Sequence, residues 1–389
     1  MAENTWTLTD VELNQYVDSL TLDAGDLARS PPGCSISKRS LRGGLREGVD
    51  LIEIDNGAMK IAVLPTRGMG IWRAWLGDRP LGWQSPVQGP VHPCFVPLAE
   101  PSGLGWLEGF DEFVCRCGLT SNGAPQFDAG GRLEYPLHGR IANLPAVKVD
   151  VGVDPETGEL FCTGVVEETR FLFHKLRLTS TLRTLPGERG FRIEDAVSNH
   201  SDRPGQMQLL YHINVGRPFL TPDARFVAPV TEVVPRDEQA ARGVDNWHTY
   251  GPEQADYREQ VYFCNLAADD ESGQTRVMLV DGHGGHAVSL GFSTRQLPCF
   301  TLWKNTTGAA DGYVTGLEPG VNLPNPREHE AAQGRVVSLS PGEGRRFELE
   351  FKVHPSGSEI AEVEAEINRL RGDRQCTVHQ TPQPGWCPV

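Results

Sequence analysis

The chain has 389 residues, with 43 Gly, 29 Pro and a formal net charge of −15 at pH 7, totals that exclude collagen-like and disordered classes and describe a turn-rich globular protein. No Lys/Arg run is longer than a pair such as Arg345-Arg346, so the acidic chain lacks the cationic stripe that a nucleic-acid partner requires. A small neutral or weakly polar ligand fits the charge better.

In chain order, Thr9-x-x-Glu12 has the form of a capping box, and Leu13, Tyr16, Val17 and Leu20 follow at helical spacing. The expectation is a helical extension over residues 1–34. The acidic first twenty residues lack the basic start of a signal peptide, and no apolar run approaches a membrane span. From about Ser35 the pattern changes to period two. Short β-branched and aromatic runs such as 51–54, 59–64, 171–182, 191–197, 276–280 and 345–353 alternate with Asn-Gly, Pro-Gly and Asp-Gly turns. Residues 175–182 alternate leucines with charged or hydroxyl residues, as in antiparallel strands with one wet face. These features predict an all-β domain over residues 35–355, built as a large antiparallel β-sandwich. Ser356-x-x-Glu359, the stripe Ile360, Val363, Ile367 and Leu370, and Gly372 predict a helix within a closing segment 356–389, followed by an extended or disordered tail.

The stretch 84–137 stands out. It is rich in Gly, Pro and aromatics and shows little periodicity, so it is expected to form a long loop that walls or covers a pocket. Nine cysteines, an odd number in a long chain, indicate reduced thiols and a cytoplasmic setting. Cys115-Arg116-Cys117 places two thiols on one side of a strand without a second pair at zinc spacing, so buried structural thiols are expected. Trp72, Trp75 and Trp83 read as core or pocket wall, and Asp281-Gly-His-Gly-Gly-His286 as a surface turn.

Three segments put an acid or base where a strand meets a loop: Pro136-Leu-His138-Gly-Arg140, Leu209-Leu-Tyr-His212-Ile-Asn214, and Tyr313-Val-Thr-Gly-Leu-Glu318-Pro-Gly320. Singly they are unspecific. In this order they resemble the galactose mutarotase (aldose 1-epimerase) superfamily, whose motifs are an H-G-G-type histidine, a second histidine in an N-H-x-Y-F-N-L-type strand and a late glutamate followed by P-x-N. Arg67 in Leu64-Pro-Thr-Arg67-Gly-Met-Gly70 matches that family's early arginine. The segment around Asn122, together with Trp303-Lys304, is similar to a bacterial branch of unassigned substrate. His138 is followed by Gly-Arg and His212 by Ile-Asn, departures from the galactose enzymes. The family's substrate-binding aspartate could be Asp223, Asp245 or Asp111.

The resemblance implies an isomerase that interconverts sugar anomers through catalytic Glu318, His212 and His138, with Arg67, Asn122, Trp303 and Lys304 binding substrate. Opening a hemiacetal needs only a base at the anomeric hydroxyl and an acid at the ring oxygen, so no cofactor or metal is expected. Glu318 is expected as base and His212 as acid, with His138 and Arg67 holding hydroxyls, and the Glu318 and His212 side chains are expected to be separated by a pyranose rather than touching. The partner is a small-molecule carbohydrate, with no nucleic acid and no membrane, and the oligomeric state is left open. A non-catalytic carbohydrate-binding protein and a metal-dependent sugar lyase or isomerase are the alternatives on the same scaffold.

Overall fold

The structure, a computed structural model, describes residues 4–27 and 33–388. Two large sheets dominate it, one of ten strands and one of fourteen. Every pairing in them is antiparallel except that of Thr377–Val378, which adds in parallel to Val230–Pro235. The alternating runs read from the sequence are strands Asp50–Asn56, Met59–Leu64, Gly190–Asn199, Gln274–Val280 and Gly344–His354. Period two sends one set of side chains inward, so Ile52, Ile54, Ile61 and Val63 of the larger sheet meet Val151, Leu178, Val197 and Phe351 of the smaller in a dry core. Residues 171–173, read as the start of a strand, instead form the exposed tip of the hairpin joining Leu160–Thr169 to Lys175–Thr184.

The N-terminal helix does not form. Thr5–Asp10 is a strand paired with Ala146–Val153 in the ten-stranded sheet, and Leu20–Leu22 pairs with Cys34–Ser40 in the other. Alternation of threonines with Trp6 and Leu8 wins over the capping box: Leu8 is buried, whereas Leu13 and Tyr16 of the supposed helical stripe are exposed. Asp10 Oδ1 accepts from the N–H groups of Glu12 and Leu13 and turns the chain back before a helix can start. Residues 5–22 therefore contribute strands to both sheets.

Three α-helices occur among the described residues, two of them only four and six residues long. The third, Gly357–Arg371, starts and stops where expected: Ser356 Oγ accepts from the Glu359 N–H, Gly372 follows at φ +57°, and Ile360, Val363 and Ile367 pack on Met278, Val280 and Ala287. No helix among the described residues is long and apolar enough to cross a membrane. The tail beyond it is anchored: Asn325 Nδ2 donates to Trp386 O at 2.8 Å, Arg335 donates to Gly385 O at 2.8 Å, and Cys387 is buried. All nine cysteines are free.

The stretch 84–137 contains a central strand, Val114–Leu119, of the fourteen-stranded sheet and a small hairpin, Gln126–Phe127 with Leu133–Tyr135. Val114–Leu119 is buried on both faces, so it lacks the alternation that would have revealed it. The longest part of the stretch without a strand is residues 84–113.

Candidate active site

Strands Gly205–Val215 and Val314–Gly320 are antiparallel neighbours, with Leu210 opposite Gly320 and Ile213 opposite Leu317. This register sets His212 directly across from Glu318, on the face of the fourteen-stranded sheet turned away from the core. Gly316 makes the room: a Cβ there would overlap Glu318 Oε1 and press on the His212 ring at 3.2 Å. His212 Nε2 and Glu318 Oε1 are 3.2 Å apart, and both residues are under 5% exposed. The expected separation by a sugar-sized gap is therefore not what this structure holds; in this conformation the two groups touch.

The tautomer of His212 follows from its neighbours. Asn214 Nδ2 donates to Glu112 O at 2.9 Å, which turns Asn214 Oδ1 toward His212 Nδ1 at 2.6 Å. Nδ1 must therefore carry the proton, and Nε2 presents a lone pair to Glu318. Burial, with His138 adding to it, holds His212 well below the usual imidazole range. Burial first, and the Glu259 carboxylate second, push Glu318 well above the usual carboxylate range. The contact is close but not aligned as a hydrogen bond, which leaves Glu318 Oε1 buried without a hydrogen-bond partner. Both groups are thus biased toward their neutral forms, the carboxyl toward keeping a proton and the imidazole toward presenting a vacant Nε2.

His138 stands at φ +56°, its Nδ1 donating to Asn122 O at 3.0 Å, so its Nε2 is also unprotonated. Burial pushes its pKa down to about 4. The glycine after it is required: a Cβ at Gly139, itself at φ +71°, would overlap the Ser121 and Gly118 carbonyl oxygens. The His138 and His212 rings lie edge to face with centroids 5.3 Å apart. Phe110, Trp303 and Trp106 surround His212 at 5.1, 5.4 and 6.2 Å, so the 84–113 loop does cover the pair. Trp106 also packs on His138 at 4.5 Å, and its buried indole N–H has no partner. Cys115 and Cys117, buried as expected, share this face.

The other sequence candidates divide. Trp303 faces the site, and its indole donates to Glu259 Oε2 at 2.8 Å, while Arg236 holds Glu259 Oε1 at 2.9 Å. Neither Glu259 nor Arg236 stands out in the sequence, because a loop residue's proximity to the site is set by tertiary packing. Arg67 is buried and its guanidinium is taken up by protein partners: it binds Glu112, Val91 O, Asn143 Oδ1 and Gly109 O, joining residues 91, 109 and 112 of the loop to Asn143. The Asn122 side chain is closed in a reciprocal amide pair with Asn322, both bonds 2.8 Å, and serves the site only through the carbonyl that orients His138. Lys304 projects to the opposite side of its strand from Trp303, where Nζ donates to Asn246 O and Thr249 O. Asp111 is locked to Arg73 and Trp72, whereas Asp223 and Asp245 are exposed. Asp281 closes the expected turn on the His283 and Gly285 N–H groups. Among the described residues, no three His, Cys, Asp or Glu side chains are grouped as a metal site.

Residues 46–353 match the family described as "Domain of unknown function (DUF4432)". No curated protein matches the chain. The crystal structure of a provisionally named aldose 1-epimerase from Klebsiella pneumoniae is 36% identical, covers 97% of this chain and 98% of its own, and superposes with a TM-score of 0.93. A galactose mutarotase-like protein from Clostridium acetobutylicum, 14% identical over 83% of this chain and 99% of its own, shares the fold at a TM-score of 0.57. So does the galactose 1-epimerase of Lactobacillus acidophilus, 14% identical over 82% and 99%, at 0.52. The chain therefore belongs to the DUF4432 family and carries the galactose mutarotase-like β-sandwich.

Proposed function

We propose that this chain is an isomerase of the aldose 1-epimerase type, acting on the anomeric centre of an aldose or modified sugar in the cytoplasm. The observation that carries the reading is the buried Glu318–His212 contact, with one tautomer of His212 fixed by Asn214 and a second neutral histidine beside it. Moving the carboxyl proton onto His212 Nε2 converts the neutral pair into carboxylate and imidazolium, the base and acid that ring opening needs. A sugar entering between them supplies hydroxyls that solvate these charges and replaces their mutual contact.

Glu318 then takes the proton of the anomeric hydroxyl, the C1–O5 bond breaks as the aldehyde forms, and His212 delivers its proton to O5. Rotation about C1–C2 and reversal of the same transfers give the other anomer with no net change in the enzyme. His138 Nε2 accepts a hydroxyl proton in a hydrogen bond, the Trp106 N–H donates one, and Trp303 with Glu259 and Arg236 forms the mouth. Phe110 and Trp303 must move aside for the ring to enter.

The test is proton NMR of anomer exchange over a panel of aldoses, uronates and substituted sugars. Acceleration of one class by the wild type and its loss in Glu318→Gln supports the reading. Sugar binding without any acceleration would replace it with the carbohydrate-binding alternative.

A further inference from the structure

One buried polar group beside Glu318 has no assigned role. Thr301 lies directly across from Glu318 in the pairing of Cys299–Asn305 with Val314–Gly320, and across from Phe263 on its other side. It is 1% exposed, and its hydroxyl has no hydrogen-bond partner. A buried hydroxyl left unpaired costs stability that a valine of the same shape would not. Oε1 of Glu318 is unpaired as well, so the two orphaned atoms belong to residues that face each other on neighbouring strands.

We infer that Thr301 is a positioning residue whose hydroxyl donates to Glu318 once the carboxyl is ionised, holding the base in place for the substrate. The inference rests on the acid–base reading of the site. A neutral carboxyl is a weaker acceptor than a carboxylate, so a donor to it matters most once it ionises. When the proton passes to His212, the carboxylate gains an acceptor site, and Thr301 is the hydroxyl-bearing residue paired directly across from it. The other donors around the site have other uses: the His212 proton is the one delivered to the sugar ring oxygen, the Trp106 indole lies against His138, and the Trp303 indole is held by Glu259. The remaining ionisable groups around Glu318 are His212 and His138, the Cys115 and Cys117 thiols on the adjoining strand, and Glu259 with Arg236 beyond Trp303. Arg236 is held by Glu259 and Asp237.

Thr301→Val removes the hydroxyl at constant shape, and Thr301→Ser keeps it. A bond to a charged acceptor predicts that Thr301→Val lowers kcat about tenfold with KM little changed, and moves the acidic limb of the rate profile about one pH unit upward. The shift is upward because the carboxylate loses a stabilising donor and is harder to ionise. Thr301→Ser should restore both. A valine variant whose kcat and pH profile superimpose on the wild type would overturn the inference. If the wild type accelerates no anomer exchange, the functional reading fails separately. Thr301 is then judged by carbon-13 NMR of the Glu318 carboxyl, whose titration midpoint must rise in Thr301→Val and return in Thr301→Ser. An unmoved midpoint would overturn it.

Discussion

Tyr211 and His212 are consecutive residues of one strand, yet they belong to two buried acid–base clusters built in opposite ways. On the core side, Arg116 of the larger sheet grips both carboxylate oxygens of Asp195 in the smaller one, and it also binds Ser180 Oγ and Met69 O, while the Tyr211 hydroxyl donates to Asp195 at 2.9 Å. Every charge in this cluster is answered by an opposite charge and by further hydrogen bonds, so it clamps the two sheets together. On the other side, Glu318 and His212 touch while Oε1 lacks a hydrogen-bond partner, and both groups are driven toward their neutral forms. Saturated polar networks hold a fold, and unsaturated ones keep capacity for a substrate.

Exchanging one atom in each cluster should separate these roles. Glu318→Gln removes a proton-transfer partner, so turnover should fall by about 10² to 10⁴. Stability should hold. Because the folded state raises the Glu318 pKa above its ordinary value of 4.5, the stability this group contributes is fully present below that value and is lost as pH rises toward the folded pKa. Glutamine cannot titrate, so urea titrations at rising pH should show the variant gaining on the wild type. Asp195→Asn leaves the Arg116 charge buried and half-paired and should destabilise the protein by about 3–5 kcal/mol in the same titrations. The fraction that remains folded should keep its turnover. Equal losses of turnover in both variants would erase the distinction.

A smaller effect comes from the glycine that makes room for the pair. Gly316→Ala drives a methyl into Glu318 Oε1, and a displacement of this kind should lower kcat/KM by about 10- to 10²-fold. The accompanying loss of stability should be about 1–3 kcal/mol, from overpacking alone. Steady-state rates beside a thermal melt check both numbers. Wild-type rates in this variant would mean that Glu318 does not act from its observed position.

The sequence carried the strands wherever one face is wet, because alternation records the wet face, and motif order picked out His138, His212 and Glu318, which the fold brings together. Val114–Leu119 was hidden because both its faces are buried, and the N-terminal strand was hidden by a chance capping box. Arg67 and Asn122 match through their segments, but a motif does not show whether a guanidinium or an amide is already engaged by backbone carbonyls and a second amide. Phe110, Glu259 and Arg236 reach the site only through loop geometry. Trp303 and Lys304 form the instructive case, since neighbours in a strand face opposite sides and cannot both meet one ligand. That conflict is legible in the sequence itself.

Lys304 therefore supplies the prediction with the smallest effect on turnover. Its Nζ is buried against two backbone carbonyls, at 2.8 and 2.7 Å, and beneath the Tyr250 ring, with no carboxylate in reach. Burial pushes its pKa from 10.5 down to about 8. The folded chain thus gives up this proton before the unfolded chain does, and stability from this group rises with pH between those two values. Lys304→Met should leave kcat and KM within about twofold, since the side chain is on the core side of the sheet. Denaturation of both proteins from pH 8 to 10.5 should show the wild type gaining on the variant by about 1–3 kcal/mol, a difference in which the other titrating groups cancel. A tenfold loss of turnover in Lys304→Met, with folding intact, would mean that this strand serves the substrate from both of its faces.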